Sequence, residues 1–89
     1  AFGFRTERLG RILQAEDALP EDTVERSPGG RPNREQADAQ FQRYKAEVEA
    51  APEDWRSWYR LAVAYDVAGD RSRARKSMSR AIAMERSTR

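Results

Sequence analysis

Between Asp54 and Ile82 the apolar residues recur at helical spacing on both sides of one glycine, and this pattern constrains the fold more than any other feature of the chain. Trp58, Leu61, Ala62, Tyr65 and Ala68 share one face of a helix when projected at about 100° per residue. Gly69 supplies a left-handed stop, Asp70 caps the next helix, and Ala74, Met78, Ala81 and Ile82 share a face beyond it. Small side chains at Ala62, Ala74 and Ala81 let the two backbones approach, while Trp58, Tyr65 and Met78 fill the remaining space. Truncating Trp58 or Tyr65 is expected to cost roughly 3–5 kcal/mol. The first of these helices carries a second stripe, Trp55, Tyr59, Val63 and Val67, so it must be covered on two sides. The concentration of two tryptophans and two tyrosines within eleven residues therefore reads mainly as core.

The rest of the chain extends the helical reading. Asn33 and Gln36 form an N-cap pair, and Ala37, Phe41, Tyr44 and Val48 follow at spacings of four, three and four until Pro52 ends the helix. Near the start, Thr6 is the expected cap of an amphipathic helix whose stripe is Leu9, Ile12 and Leu13. Between them, Pro20 to Asn33 holds three prolines, two adjacent glycines and one apolar residue, Val24, and is expected to be an exposed loop or linker. The expected organisation is all-α, with antiparallel helical hairpins of three to four helices. It comprises an amphipathic helix at 1–19, a loop at 20–33, a helical domain at 34–86 and a fraying tail at 87–89.

Trp58, Leu61, Ala62, Tyr65, Gly69, Ala74, Met78 and Ala81, with Pro52 ahead of them, stand at the offsets of a known helix–turn–helix repeat. Residues 52–86 thereby resemble the tetratricopeptide repeat. Ala62 and Met78 replace a glycine and an aromatic of that pattern, and Arg86 stands where the next proline belongs, which suggests that the array stops here. Leu9, Gly10 and Leu13 fit three further offsets, so residues 1–19 would supply the first helix of a degenerate preceding repeat, or alternatively dock onto another protein. Two repeats fall short of the three or so that bury a continuous core, so a partner, a second copy or the N-terminal helix as a cap is expected to complete the fold.

Composition narrows the functional classes. The chain has no cysteine and no histidine, which removes thiolate sites, disulfides, the commonest metal ligand and the commonest general acid/base. Neighbouring carboxylates such as Glu47 and Glu49 do not share a helix face, and "SPGGRPN" lacks the strand and Lys-Ser/Thr of a phosphate loop. No catalytic residue, cofactor site or metal site is expected. No run reaches the roughly twenty apolar residues of a membrane span, and the start lacks a secretory signal, so a cytoplasmic location is the default expectation. Net charge is only +2, yet residues 35–54 carry six acids against two bases and residues 70–89 seven bases against two acids.

These features point to a non-catalytic protein–protein interaction module, an adaptor or accessory subunit. Arg56, Tyr59, Val63 and Asp66 hold positions that resemble the repeat family's ligand-facing ones, where an apolar or amphipathic helix is the better-matched ligand. The family's carboxylate clamp uses Lys and Asn on that surface; Tyr59 and Val63 stand there instead, which argues against capture of a C-terminal carboxylate. Phe2 and Phe4 are expected to pack into the domain or a partner, and Arg73, Lys76 and Arg80 to set orientation and on-rate. The expected partner is another protein, contributing a helix or an extended segment, or a second copy of the chain. The alternative is an RNA-, DNA- or ribosome-associated protein that uses the basic last helix against phosphate, the same residues otherwise forming a solvated face. Membrane-surface binding through Phe2, Phe4 and Arg5, Arg8 and Arg11 is the least supported class, because three acids balance the three bases.

Overall fold

In the computed structural model, which describes residues 4–20 and 24–88, the chain forms four helices: α1 (Phe4–Ala15), α2 (Arg34–Ala50), α3 (Trp55–Val67) and α4 (Arg71–Ser87). Their ends are written in side chains. The carboxamide or carboxylate oxygens of Asn33, Asp54 and Asp70 accept from the backbone N–H groups of Gln36, Arg56 and Arg73, satisfying donors that the first helical turn leaves open. Gln36 does not complete the reciprocal cap: its Oε1 accepts from the Glu25 N–H, while the Asn33 N–H is donated to the Glu25 carbonyl. The loop is thereby stitched to the start of α2, tightened by an antiparallel bridge between Arg26 and Pro32 and anchored by buried Val24.

Gly69 stops α3 at φ +85°, with the Gly69 and Asp70 N–H groups returning to the carbonyls of Asp66 and Tyr65. The same motif ends α1, but there Asp17 occupies the left-handed position at φ +54°, with Asp17 and Ala18 donating to Gln14 and Leu13. Three boundaries differ from expectation, the first being the end of α1, which stops at Ala15 and does not reach residue 19. Thr6 lies inside α1, which begins at Phe4, and α4 runs on to Ser87, where the Ser87 and Thr88 hydroxyls donate to the Met84 and Glu85 carbonyls.

Helix α3 is the centre of the bundle, with α2 and α4 packed along it. Buried Ser57 fixes the short α2–α3 connection, its Oγ lying 2.8 Å from the Ala51 carbonyl and 2.7 Å from that of Asp54. On one side of α3, Leu61 and Ala64 meet Tyr44 and Val48 of α2. On another, Trp55, Tyr59 and Ala62 join Leu9 and Leu13 of α1 and Met78 and Ala81 of α4. The two aromatic stripes are not buried equally. Trp55 and Tyr59 are the buried pair, at 5% and 9% exposure, whereas Trp58 and Tyr65 are half-buried and Ala68 is exposed. The reason is that α1 covers the Trp55/Tyr59 face.

Helix α1 takes α4 as its packed neighbour and does not form the α1–α2 hairpin that a preceding repeat begun by α1 requires. It acts instead as a lid over the α3–α4 hairpin.

Candidate helix-binding groove

The groove between α3 and α4 is shaped by side-chain size. Ala62 and Ala81, nearly devoid of bulk, leave a trough, and Trp55, Tyr59 and Met78 wall it. Leu9 and Leu13, four apart on α1 and therefore stacked on one face, fill it to 1% and 0% exposure. Gly10 is what lets the helix lie so close: a Cβ there would sit 3.1 Å from the Tyr59 hydroxyl oxygen. Burial of that hydroxyl pushes the Tyr59 pKa up.

Polar groups fix the direction of the bound helix. The Arg56 guanidinium donates to both carboxylate oxygens of Glu16 at 2.6 and 2.5 Å, and it also lies 4.7 Å over the Trp55 ring. One turn further along α3, Arg60 donates to the Ala18 carbonyl at 3.0 Å and to Glu47 of α2 at 3.2 Å. Two cations thus stand at the C-terminal end of α1, where the helix dipole favours them. Towards the other end, Arg8 meets the buried Glu85 of α4 at 3.3 Å. The two hydrogen bonds from Arg56 hold the Glu16 carboxyl below its usual range, and Glu16 in turn raises the Arg56 pKa, so that pair stays charged through neutral pH. Beside α1 a shallow cleft of about 840 Å³ stays open, lined by Ile12, Pro52, Trp55, Arg56 and Glu85.

The residues expected to face a partner are divided by this arrangement. Arg56, Tyr59 and Val63 converge on one face as the pattern implied, but the chain's own α1 covers it: Arg56 is paired with Glu16, Tyr59 is buried, and Val63 packs against the cluster that holds Leu9 and Leu13. Asp66 is exposed at the end of α3. Arg73, Lys76 and Arg80 lie exposed on α4, Arg73 sharing the Asp70 carboxylate at 3.4 Å and Arg80 stacked 5.3 Å over Trp58. Phe2 lies outside the described residues, and Phe4 is described only as the first residue of α1. The ion pairs of Glu16 and Arg8 escaped the sequence reading because nothing in local spacing relates residues 40 and 77 positions apart.

No cluster of acidic residues able to hold a metal ion occurs among the described residues, and none of their helices is long and apolar enough to cross a membrane. No protein-family model, curated protein or solved structure matches this chain.

Proposed function

We propose that the protein is a non-catalytic interaction module, an adaptor or accessory subunit, whose α3–α4 groove receives an amphipathic helix. The observation that carries this reading is the occupancy of the groove by α1, with two leucines fully sunk and ion pairs at both ends. A surface that seats one helix with both apolar depth and directional charge is suited to seat another of the same chemistry: leucines four apart and an acid at the C-terminal end. The α1 helix is tethered through a long loop, so a competing helix displaces it without unravelling α2–α4. The resemblance of residues 52–86 to the tetratricopeptide repeat, whose members bind protein segments, supports the same reading. The nucleic-acid alternative is the weaker one, because Arg73 and Arg80 are already engaged by Asp70 and Trp58.

The test is a fluorescent peptide copying residues 1–19, titrated into the full chain and into its Glu16→Arg variant. The variant weakens its own α1 while keeping the groove intact, so the peptide should bind it more tightly than the parent chain, and Arg56→Glu should abolish the gain. Failure to bind either chain, or binding indifferent to Arg56, refutes the reading.

A further inference from the structure

A second surface lies on the side of α3 that α1 leaves uncovered. Trp58 and Tyr65, seven residues and therefore about 10 Å apart along α3, lie half-buried between α2 and α4. Around Tyr65 the seam opens into a groove of about 580 Å³, floored by Phe41, Tyr65 and Val67 and rimmed by Arg31, Arg34 and Arg73. On the floor the Phe41 and Tyr65 rings meet at 5.0 Å and 53°. The Ser27 N–H donates to the Arg31 carbonyl and the Gly30 N–H to the Ser27 carbonyl, each at 2.8 Å, which presents Arg31 on a closed turn.

The charges of this rim are unevenly spent. Arg31 and Arg34 make no ion pair among the described residues. Asp70 is committed, accepting from the Arg73 N–H at 3.1 Å and facing its guanidinium at 3.4 Å, which leaves Asp38 as the one further acid on the rim. Helices α2 and α4 begin here and α3 ends here, so the helix ends add little net charge and the positive character of the rim rests on the arginines. An apolar floor beneath uncompensated guanidinium groups suits a ligand that brings carboxylates and an apolar anchor together.

We infer that the Phe41/Tyr65 groove binds an acidic segment of a partner protein, its carboxylates taken by Arg31 and Arg34 and one apolar or aromatic side chain laid on the Phe41/Tyr65/Val67 floor. A nucleic-acid strand fits less well. Trp58, the largest ring on this side of α3, already lies under the Arg80 guanidinium, 5.3 Å from its ring centroid, and is closed to a stacked base on that face. The Trp58 indole N–H is already donated to the Pro52 carbonyl at 2.8 Å. Asp38 and Asp70 also oppose an unbroken row of phosphates, whereas a peptide can place its acids away from them. This surface is separate from the one that holds α1, and the inference stands whether or not α1 is displaceable.

The experiment uses the immobilised full chain and a random dodecapeptide display library. Selected peptides should be net acidic with at least one Leu, Phe, Tyr or Trp. The best of them, synthesised, should lose tenfold or more in affinity to the Arg31→Glu/Arg34→Glu double variant and weaken with salt. Backbone amide shifts on binding should cluster at Arg34, Phe41, Tyr65 and Arg73. Circular dichroism on the double variant checks its fold, and Phe41→Ala, which leaves the charges untouched, should weaken binding separately. No enrichment, enrichment of neutral or basic peptides, affinity unmoved in the double variant, or displacement of the peptide by a thymidine oligonucleotide of equal charge overturns the inference.

Discussion

The Glu16 carboxylate and the Arg56 guanidinium, forty positions apart, join through two hydrogen bonds at the C-terminal end of α1. Each group is held in its charged form by the other, and the pair ties a helix that has no hairpin partner to the central helix of the bundle.

This pair makes α1 docking sensitive to acid. Because Arg56 depresses the folded pKa of Glu16, the stabilisation is fully present above the unfolded glutamate value of about 4.3 and is lost as pH falls through the lower folded value. Arg56 remains a cation throughout. Amide exchange in α1 should therefore quicken between roughly pH 5 and pH 3 relative to α3, and Glu16→Gln should flatten that response. Identical profiles for the two chains would remove the pair from the docking of α1.

Leu13 has no exposed surface, so Leu13→Ala both forfeits burial and leaves a cavity between α1, α3 and α4. A loss of about 2–5 kcal/mol in urea unfolding is expected. Leu19, 43% exposed, gives the contrast: its replacement by Ala should change stability by no more than about 0.5 kcal/mol. Equal costs would place α1 elsewhere than on the α3–α4 groove.

Gly10 and Tyr59 should be coupled. Alanine at position 10 gains about 1 kcal/mol of helix propensity but drives its Cβ to 3.1 Å from the Tyr59 hydroxyl oxygen, so Gly10→Ala in the parent chain should not stabilise. In a Tyr59→Phe background the obstruction is gone, and the same change should stabilise by about 0.5–1 kcal/mol. A double-mutant cycle measured by thermal unfolding reads the difference directly, and additivity would contradict the close approach.

The two left-handed helix stops should respond in opposite directions. Asp17 sits at φ +54°, a conformation that costs a side-chain-bearing residue more than glycine, and Asp17→Gly is expected to stabilise by about 0.5–1 kcal/mol. Gly69 at φ +85° has the reverse problem, and Gly69→Ala should destabilise by about 1–2 kcal/mol, although nothing obstructs the added methyl group. Denaturant midpoints for the two variants should therefore move apart.

Helix identity and most helix ends were legible in the residues because they are local. Asn33, Asp54 and Asp70 each satisfy a donor two or three positions on, Gly69 answers a backbone angle, and Pro52 breaks a ladder. The start of α1 was not legible, because the helix begins at Phe4, two residues ahead of Thr6, the cap residue the sequence offers. Nor was Asp17 as a stop, since its left-handed angle is uncommon for any residue with a side chain. Of the four α3 residues expected to face a partner, Arg56, Tyr59 and Val63 lie under α1 and Asp66 is exposed at the helix end, and what covers that face was not readable from local spacing. The Phe41/Tyr65 groove escaped because its arginines come from a loop, another helix start and α4, which only packing brings together.

The amino-acid order by itself determined an all-α chain, the three capped helices and a central helix that needs cover on two sides, since periodicity and caps act within a few residues. Tertiary structure alone decided which aromatic pair is buried. That choice belongs to α1, whose leucines and charged ends find their partners on α3 and α4 through burial and pairing across most of the chain's length.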